Sequence, residues 1–355
     1  MKAILMFEDG KSFIGEALGS GESIGRLALN TAVVGYQEML TDPANAGKIL
    51  ALTYPLIGNY GCAPKFNESS RVWAEGLVIK EKTRLTSNWQ AQQSFDDFVK
   101  ERKLPLICGI DTRALAVHLR QKGEIYGAIS TQCGSAKELL AKIAAREKEK
   151  KESRLPEVGL KKPLHCGRAG GKKIAVLDLG LTKSILAQLE KLGLNITVVP
   201  YYTSAAEILR AKPKGLVISG GPEQDPGLGE VIERIKPIIG KIPLLGISTG
   251  HQVVALALGV KLARMRLGHR GVNYPLQRPD SYKGEITSQN HGWCVDADSL
   301  AKIKAVKITS YNLNDRSVEE MESKKLKILG AQYLPVSPGL GEVNALFKRF
   351  VKMME

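Results

Sequence analysis

From Lys173 onward, short apolar runs alternate with amphipathic stretches and are joined by short loops, and no other feature of the chain constrains its fold as much. Lys173 to Leu179 reads as a buried strand, Thr182 to Leu192 as a helix, Asn195 to Pro200 as a strand and Ser204 to Ala211 as a helix. Gly215 to Ser219 then reads as a strand, Gly229 to Ile239 as a helix, and Leu244 to Ile247 as a strand that leads into a helix from His251 to Leu258. Alternation at this spacing predicts right-handed βαβ units, and hence a parallel sheet covered by helices on both faces. Sites in such sheets open at the carboxyl ends of strands, so chemistry is expected in the loops after Leu179, Ser219 and Ile247.

The part before it has a different texture. From Met1 to about Ser130, apolar runs at Ala3 to Phe7, Leu27 to Val34, Ile49 to Thr53 and Gly76 to Ile79 are broken by Gly and Pro, the pattern of a β-rich domain. Helices are predicted near Phe95 to Val99 and Thr112 to Gln121, and a charge-laced helix over Ala136 to Lys151 with Ser135 as its N-cap. Glu152 to Lys172 holds two prolines and four glycines with little periodicity, and reads as a connection. The expected organisation is α/β throughout: a β-rich α/β domain over 1–151, a linker over 152–172 and a parallel-sheet domain over 173–355.

Charge raises one function class. Fifty-one Lys and Arg against 36 Asp and Glu give +15, which points first to nucleic acid. The basic residues are nevertheless spread along the chain, are diluted by acids where densest (Arg146 to Glu152), and have no interleaved aromatics to stack on bases, so nucleic-acid binding is not expected. The opening apolar run stops at Glu8 and Asp9, too short for a signal peptide, and no stretch approaches the ~20 apolar residues that span a bilayer. The five cysteines, Cys62, Cys108, Cys133, Cys166 and Cys294, form no C-x-x-C pair, so neither a disulfide framework nor a zinc site is indicated. A cytoplasmic, metal-free chain is expected.

The loop after Ile247 carries the sharpest motif. Gly246-Ile247-Ser248-Thr249-Gly250 places glycines two residues either side of a serine between a strand and a helix, an elbow that lifts a nucleophile above the sheet. Taken alone, the pattern fits a serine hydrolase or a structural turn in which the serine caps the helix.

The elbow, with His251 and Gln252 after it, resembles the Gly-Ile-Cys-Leu-Gly-His-Gln of class I glutamine amidotransferases. The rest of the chain resembles one family among them, the glutamine-handling small subunits of carbamoyl phosphate synthetase. In the first part the resemblance rests on Glu8-Asp9-Gly10, Gly35 to Pro43 (GYQEMLTDP), Tyr54 to Gly61 (YPLIGNYG) and Ile110 to Leu115 (IDTRAL). In the second it rests on Ser219 to Pro222 (SGGP), Gly268 to Asn273 (GHRGVN), Thr287 to Trp293 (TSQNHGW) and Ser337-Pro338-Gly339. It implies an N-terminal domain peculiar to this subunit followed by a flavodoxin-like amidotransferase domain.

The family attacks the glutamine amide with a cysteine thiolate, shuttles the proton through a histidine and orients that histidine with a glutamate. Here the cysteine position is Ser248, and the family's His-Pro-Glu-Ala-Ser-Pro-Gly reads Leu334-Pro335-Val336-Ser337-Pro338-Gly339, one residue shorter. The resemblance puts Leu334 at the histidine, and the glutamate is either replaced or deleted, with Val336 taken as its match. The resemblance also implies glutamine contacts at Ala44, where the family has serine, at Gly221, and at Glu223 in place of the second glycine of Gly-Pro-Gly, beside a one-residue insertion. Thr249 replaces a leucine whose N–H serves the oxyanion hole, while Gln252, Asn290, Gly292 and the aromatic at Trp293 are retained. An unpaired carboxylate at Glu223 would repel the glutamine α-carboxylate, so weak binding is expected. His251 and His291 read as supports of the elbow and of the Asn-His-Gly loop, His118 as helix surface, His165 as linker, His269 as a family loop and Cys294 as a small core residue.

What the resemblance implies is a subunit with a silent glutaminase site. It would dock on a large chain that holds ATP and magnesium and makes carbamoyl phosphate, for arginine or pyrimidine synthesis, from bicarbonate, ATP and free ammonia. This chain itself has no P-loop string and needs no cofactor of its own. A regulatory or interaction paralogue released from the synthetase is the alternative, and a glutaminase rebuilt from other groups a further one. Tyr36 and Tyr54, within the first domain's strings, read either as partner anchors or as core.

Overall fold

The computed structural model describes residues 2–132, 135–149, 152–279, 281–337, 339 and 341–355, so Met1, Cys133, Lys151 and Pro338 of the readings above lie outside the described residues. The chain divides into two compact units, one formed by residues 1–150 with 266–271, the other by 151–265 with 272–355.

In the first unit β1 (Lys2–Phe7), β2 (Ser12–Leu18), β3 (Glu22–Asn30), α1 (Tyr36–Thr41), β4 (Lys48–Leu52), β5 (Leu56–Ile57), β6 (Gly76–Val78), β7 (Glu81–Lys82), α2 (Phe95–Glu101), β8 (Leu106–Cys108), α3 (Thr112–Lys122), β9 (Tyr126–Ser130) and α4 (Ala136–Lys148) follow in order. Seven strands close into a barrel in the order β1-β2-β8-β6-β4-β3-β9, and β5 pairs with β7 outside it. Strand alternation sorts the apolar residues. Leu5, Phe7, Leu27, Leu29, Ile49, Ala51, Val78, Ile107 and Ile129 pack with Leu115 and Leu119 of α3. The alternate set, Ala28, Leu50, Leu52, Leu77 and Leu106, packs with Tyr36 and Leu40 of α1 and Phe95 and Phe98 of α2. The side chain of Ser135 caps α4 through the Glu138 N–H, as its sequence predicts.

Two readings are corrected here, and the open choice at Tyr36 is resolved toward core. The strand expected over Leu27 to Val34 is β3, ending at Asn30: the Asn30 side chain accepts the Ala32 N–H and turns the chain, leaving Val33 and Val34 exposed. Tyr36 is core, only 2% exposed, stacked on Tyr60 and donating its hydroxyl to the Gly61 carbonyl at 2.6 Å. His118 is not a surface residue: its ring lies edge-on to Phe7 and 3.3 Å from the Asp9 carboxylate.

The second unit continues with α5 (Leu155–Val158), β10 (Leu164–Gly167), β11 (Lys173–Asp178), α6 (Lys183–Lys191), β12 (Asn195–Pro200), α7 (Ala205–Arg210), β13 (Leu216–Ile218), α8 (Leu228–Ile235), β14 (Leu244–Ile247), α9 (Thr249–Ala257), β15 (Leu262–Gln277), β16 (Gly284–Val295), α10 (Ala297–Ala301), β17 (Lys307–Asn312), β18 (Val318–Ser323), β19 (Ile328–Ala331) and α11 (Ala345–Met353). Ten strands form one sheet, β10-β12-β11-β13-β14-β19-β18-β16-β15-β17, in which β12-β11-β13-β14-β19 are parallel in the flavodoxin-like order. Alternate residues serve opposite faces. Leu177, Leu216, Ile218, Leu244 and Ile328 meet Ile208, Val231, Ile235 and Val253. Val176, Val217, Leu245, Ile247 and Leu329 meet Ile185 and Leu189 of α6 and Leu346, Phe347 and Phe350 of α11.

The stretch read as a linker is structured: α5 lies within it, and β10 pairs antiparallel with β12 as the edge of the sheet. Among the described residues no helix is long and apolar enough to cross a membrane.

Arg270, 1% exposed, is held by a two-pronged ion pair with Glu124 inside the first unit. Removing the carboxylate takes two charge-assisted hydrogen bonds from a buried guanidinium, so Glu124→Ala is expected to destabilise the chain by about 3 kcal/mol, read as a lowered urea midpoint.

Candidate functional site

The Ser248 elbow is built by close approach. A Cβ on Gly250 would stand 2.1 Å from the Ile218 carbonyl oxygen, and one on Gly246 would stand 2.6 Å from the Gly250 carbonyl oxygen. Only glycines let β14 turn so sharply into α9. Ser248 takes up the strain, with φ 51 and ψ −112, and its N–H donates to the Ala331 carbonyl of β19 at 2.7 Å. It is 2% exposed, and its side chain makes no capping bond, so the helix-cap reading of the motif fails. The geometry is that of a nucleophile elbow.

Around it, Gly220 lies near enough that a Cβ there would be 3.6 Å from the Ser248 Cβ, and Thr249 donates its hydroxyl to the Gly221 carbonyl at 2.7 Å. Gly221 itself is pressed on the Leu179 carbonyl, where a Cβ would come to 1.9 Å. The loops after β11, β13 and β14 therefore converge, as the sheet topology predicts.

Glu223, Gln252, Gly292 and Trp293 form one group. The Glu223 carboxylate accepts the Gly292 N–H at 2.7 Å, the Trp293 N–H at 3.2 Å and the Gln252 side-chain amide at 2.8 Å. Asn290 is buried on β16 beside them in sequence. The expected repulsive, unpaired carboxylate is thus a well-paired one.

Leu334 and Val336 lie just after β19. The Leu334 N–H donates to the Ser288 carbonyl at 2.9 Å, Pro335 offers its carbonyl to Gln188 of α6 at 2.6 Å, and Asn344 donates to the Val336 carbonyl at 3.1 Å. Neither aliphatic side chain can accept or hold a proton, and Val336 is 38% exposed. Ala44 belongs to the first unit, buried in a 3₁₀ turn (Pro43–Asn45) that Asp42 caps through the Ala44 N–H at 2.9 Å.

Two histidines of this unit, His251 and His291, are buried. His251 is fully buried, and burial, with His291 adding to it, pushes its imidazole down to about 3, so it is neutral at pH 7. His291 is bracketed by the Trp293 carbonyl at 3.0 Å and the Gln289 side-chain oxygen at 2.8 Å. Burial pushes the Cys294 thiol up to about 11, which keeps it protonated. Sequence reasoning missed Gln332, whose side-chain oxygen takes a third bond from Gln252 at 3.3 Å. Its signal was a glutamine set between Ala331 and Tyr333 in an otherwise apolar run.

Fold and elbow together define a class I glutamine amidotransferase domain, and residues 175–353 match the family described as glutamine amidotransferase class-I. Ahead of it, residues 5–129 match the CPSase domain of the carbamoyl-phosphate synthase small chain. A carbamoyl phosphate synthase small chain of Listeria monocytogenes serotype 4b (strain F2365) is 40% identical over 355 residues, covering 99% of this chain and 97% of that one. The carbamoyl phosphate synthase pyrimidine-specific small chain of Bacillus subtilis (strain 168) is 38% identical over 357 residues, covering 100% and 96%. The chain belongs to the carbamoyl phosphate synthase small chain family.

Two outcomes follow from the elbow. Ser248→Gly relieves a conformation that costs a non-glycine residue roughly 1–3 kcal/mol, so it should stabilise the chain by about 1 kcal/mol in urea unfolding, whereas Gly250→Ala should fail to accumulate as folded protein. His251 sets a pH dependence. The unfolded chain takes up its proton below about 6.5 and the folded chain does not, so this contribution is intact above that pH and is lost as pH falls toward 3. Unfolding free energy measured from pH 7 to 4 should fall with a steeper slope in the parent than in His251→Gln, by up to about 1.4 kcal/mol per pH unit.

Proposed function

We propose that this chain is the small subunit of a carbamoyl phosphate synthetase in which the glutaminase step has been lost. It serves as the scaffold for a large chain that makes carbamoyl phosphate from bicarbonate, ATP and free ammonia. The observation that carries this reading is a strained nucleophile elbow with Ser248 at its apex, in a chain whose base and orienter positions are the aliphatics Leu334 and Val336. A serine hydroxyl attacks an amide only when a neighbouring group takes its proton, and in the position that does so in the family there is a hydrocarbon. His251, neutral and fully buried, is poorly suited to substitute.

The two-domain organisation supports docking on the large chain, because the first unit matches a domain peculiar to this kind of subunit. ATP and its magnesium belong, on this reading, to the large chain. What this chain contributes is shape: an intact barrel, and an amidotransferase fold with its elbow retained.

Purified chain should co-elute with a synthetase large subunit, and the complex should make carbamoyl phosphate from ammonia but not from glutamine. Glutamate release at ordinary enzymatic rates, on the order of 1 per second or more, would overturn the reading. Ser248→Cys alone should not restore glutamine use, since the thiol still lacks a base. A chain that folds and binds no large subunit would instead be an interaction paralogue.

A further inference from the structure

The Glu223 carboxylate is gripped by three donors, none of which is a charged side chain. One oxygen takes the Gly292 N–H at 2.7 Å, and the other takes the Trp293 N–H at 3.2 Å and the Gln252 amide at 2.8 Å. Consecutive backbone N–H groups beside a side-chain amide make a carboxylate cradle: they match two oxygens at once, and their fixed positions need little reorganisation. Gln252 is itself held in place, 1% exposed, by bonds to the Trp293 carbonyl at 3.0 Å and to Gln332 at 3.3 Å. The loop that brings Glu223 there turns immediately afterwards through a left-handed residue, Gln224 at φ 53.

Gln252, Gly292 and Trp293 are three of the positions at which a glutamine-using relative would hold its substrate, and the only carboxylate that free glutamine offers is its α-carboxylate. We infer that Glu223 is a built-in occupant of the amino-acid carboxylate cradle, a side chain that fills the site from within and excludes a free amino acid. The inference rests on the reading of this chain as a silent small subunit and adds a cause for silence separate from the missing base. A tethered carboxylate competes as an intramolecular ligand, so a free amino acid must displace it against an effective concentration in the millimolar range. Binding is blocked by occupancy, with the donors left intact and ordered.

The test is binding of L-glutamine by isothermal titration to the full chain, to Glu223→Gly, which withdraws the side chain, and to Glu223→Gln, which keeps its size and removes its charge. Glu223→Gly should bind glutamine at least 10-fold more tightly than the parent, and L-glutaminol, which lacks the carboxylate, should gain nothing. Equal affinity in parent and folded Glu223→Gly, or an equal gain for glutaminol, overturns the inference. Should Glu223→Gly fail to fold, amide NMR of Glu223→Gln decides: loss of the carboxylate should move the Gly292 and Trp293 N–H resonances, and unmoved resonances refute the cradle. Failure of the proposed function is read elsewhere, as glutamate release by the unmodified chain, so the two failures are distinguishable.

Discussion

The Ile218 carbonyl lies where any side chain on Gly250 would have to be, 2.1 Å from its Cβ position, and the placement of α9 against the sheet follows from that approach. β13 and β14 are parallel neighbours with Ile218 opposite Gly246, so the end of one strand forms the floor on which the next strand's helix begins. The Ser248 N–H then ties the turn to β19 through the Ala331 carbonyl. Three strands and a helix meet at one residue, and its φ of 51 is fixed by all of them together.

That fixing makes the strain independent of whether the side chain does chemistry. A strained backbone persists where its surroundings over-determine it, and nothing in the constraint on Ser248 involves the chemistry of its side chain. The polar interior nearby follows the same logic. The buried Glu319 carboxylate takes side-chain amides from Gln289 and Asn312, each at 2.8 Å, and Gln289 in turn holds His291. Buried polar groups have to be paired whether or not catalysis uses them, so the network is a requirement of folding in its own right.

The parallel half of the second unit was legible because its strands are buried on both faces and its helices on one, which gives two clean periods. Asn195 to Pro200 and Leu244 to Ile247 were located to the residue. The antiparallel half was not. β15 runs for 16 residues with three arginines and a proline, and burial along it switches from part-exposed to fully buried at Gly268 through Gly271, so neither a period of 2 nor one of 3.6 is visible. β10 escaped notice as an exposed edge strand of Leu-His-Cys-Gly beside glycines, whose pairing with β12 is a tertiary fact. At the site, residue identities could be read from the motif, but hydrogen-bond partners could not. Glu223 looked like an obstacle because its charge is visible in a sequence, whereas the two backbone N–H groups that accommodate it belong to residues about seventy positions away.

Under the proposed function, the site is silenced in two distinct ways. On the reading proposed above, an aliphatic at Leu334 removes chemistry without by itself preventing a ligand from binding. Placing a carboxylate on donors that would otherwise need water or substrate satisfies them permanently, and paired donors are favoured over unpaired ones in any partly buried site. With Gly292 buried and Gln252 only 1% exposed, the cradle would be costly to leave without an acceptor. The resident carboxylate therefore contributes stability by satisfying these donors, and the same side chain ties the loop after β13 to β16 and α9, an arrangement that, on the reading proposed above, a ligand would otherwise have had to hold.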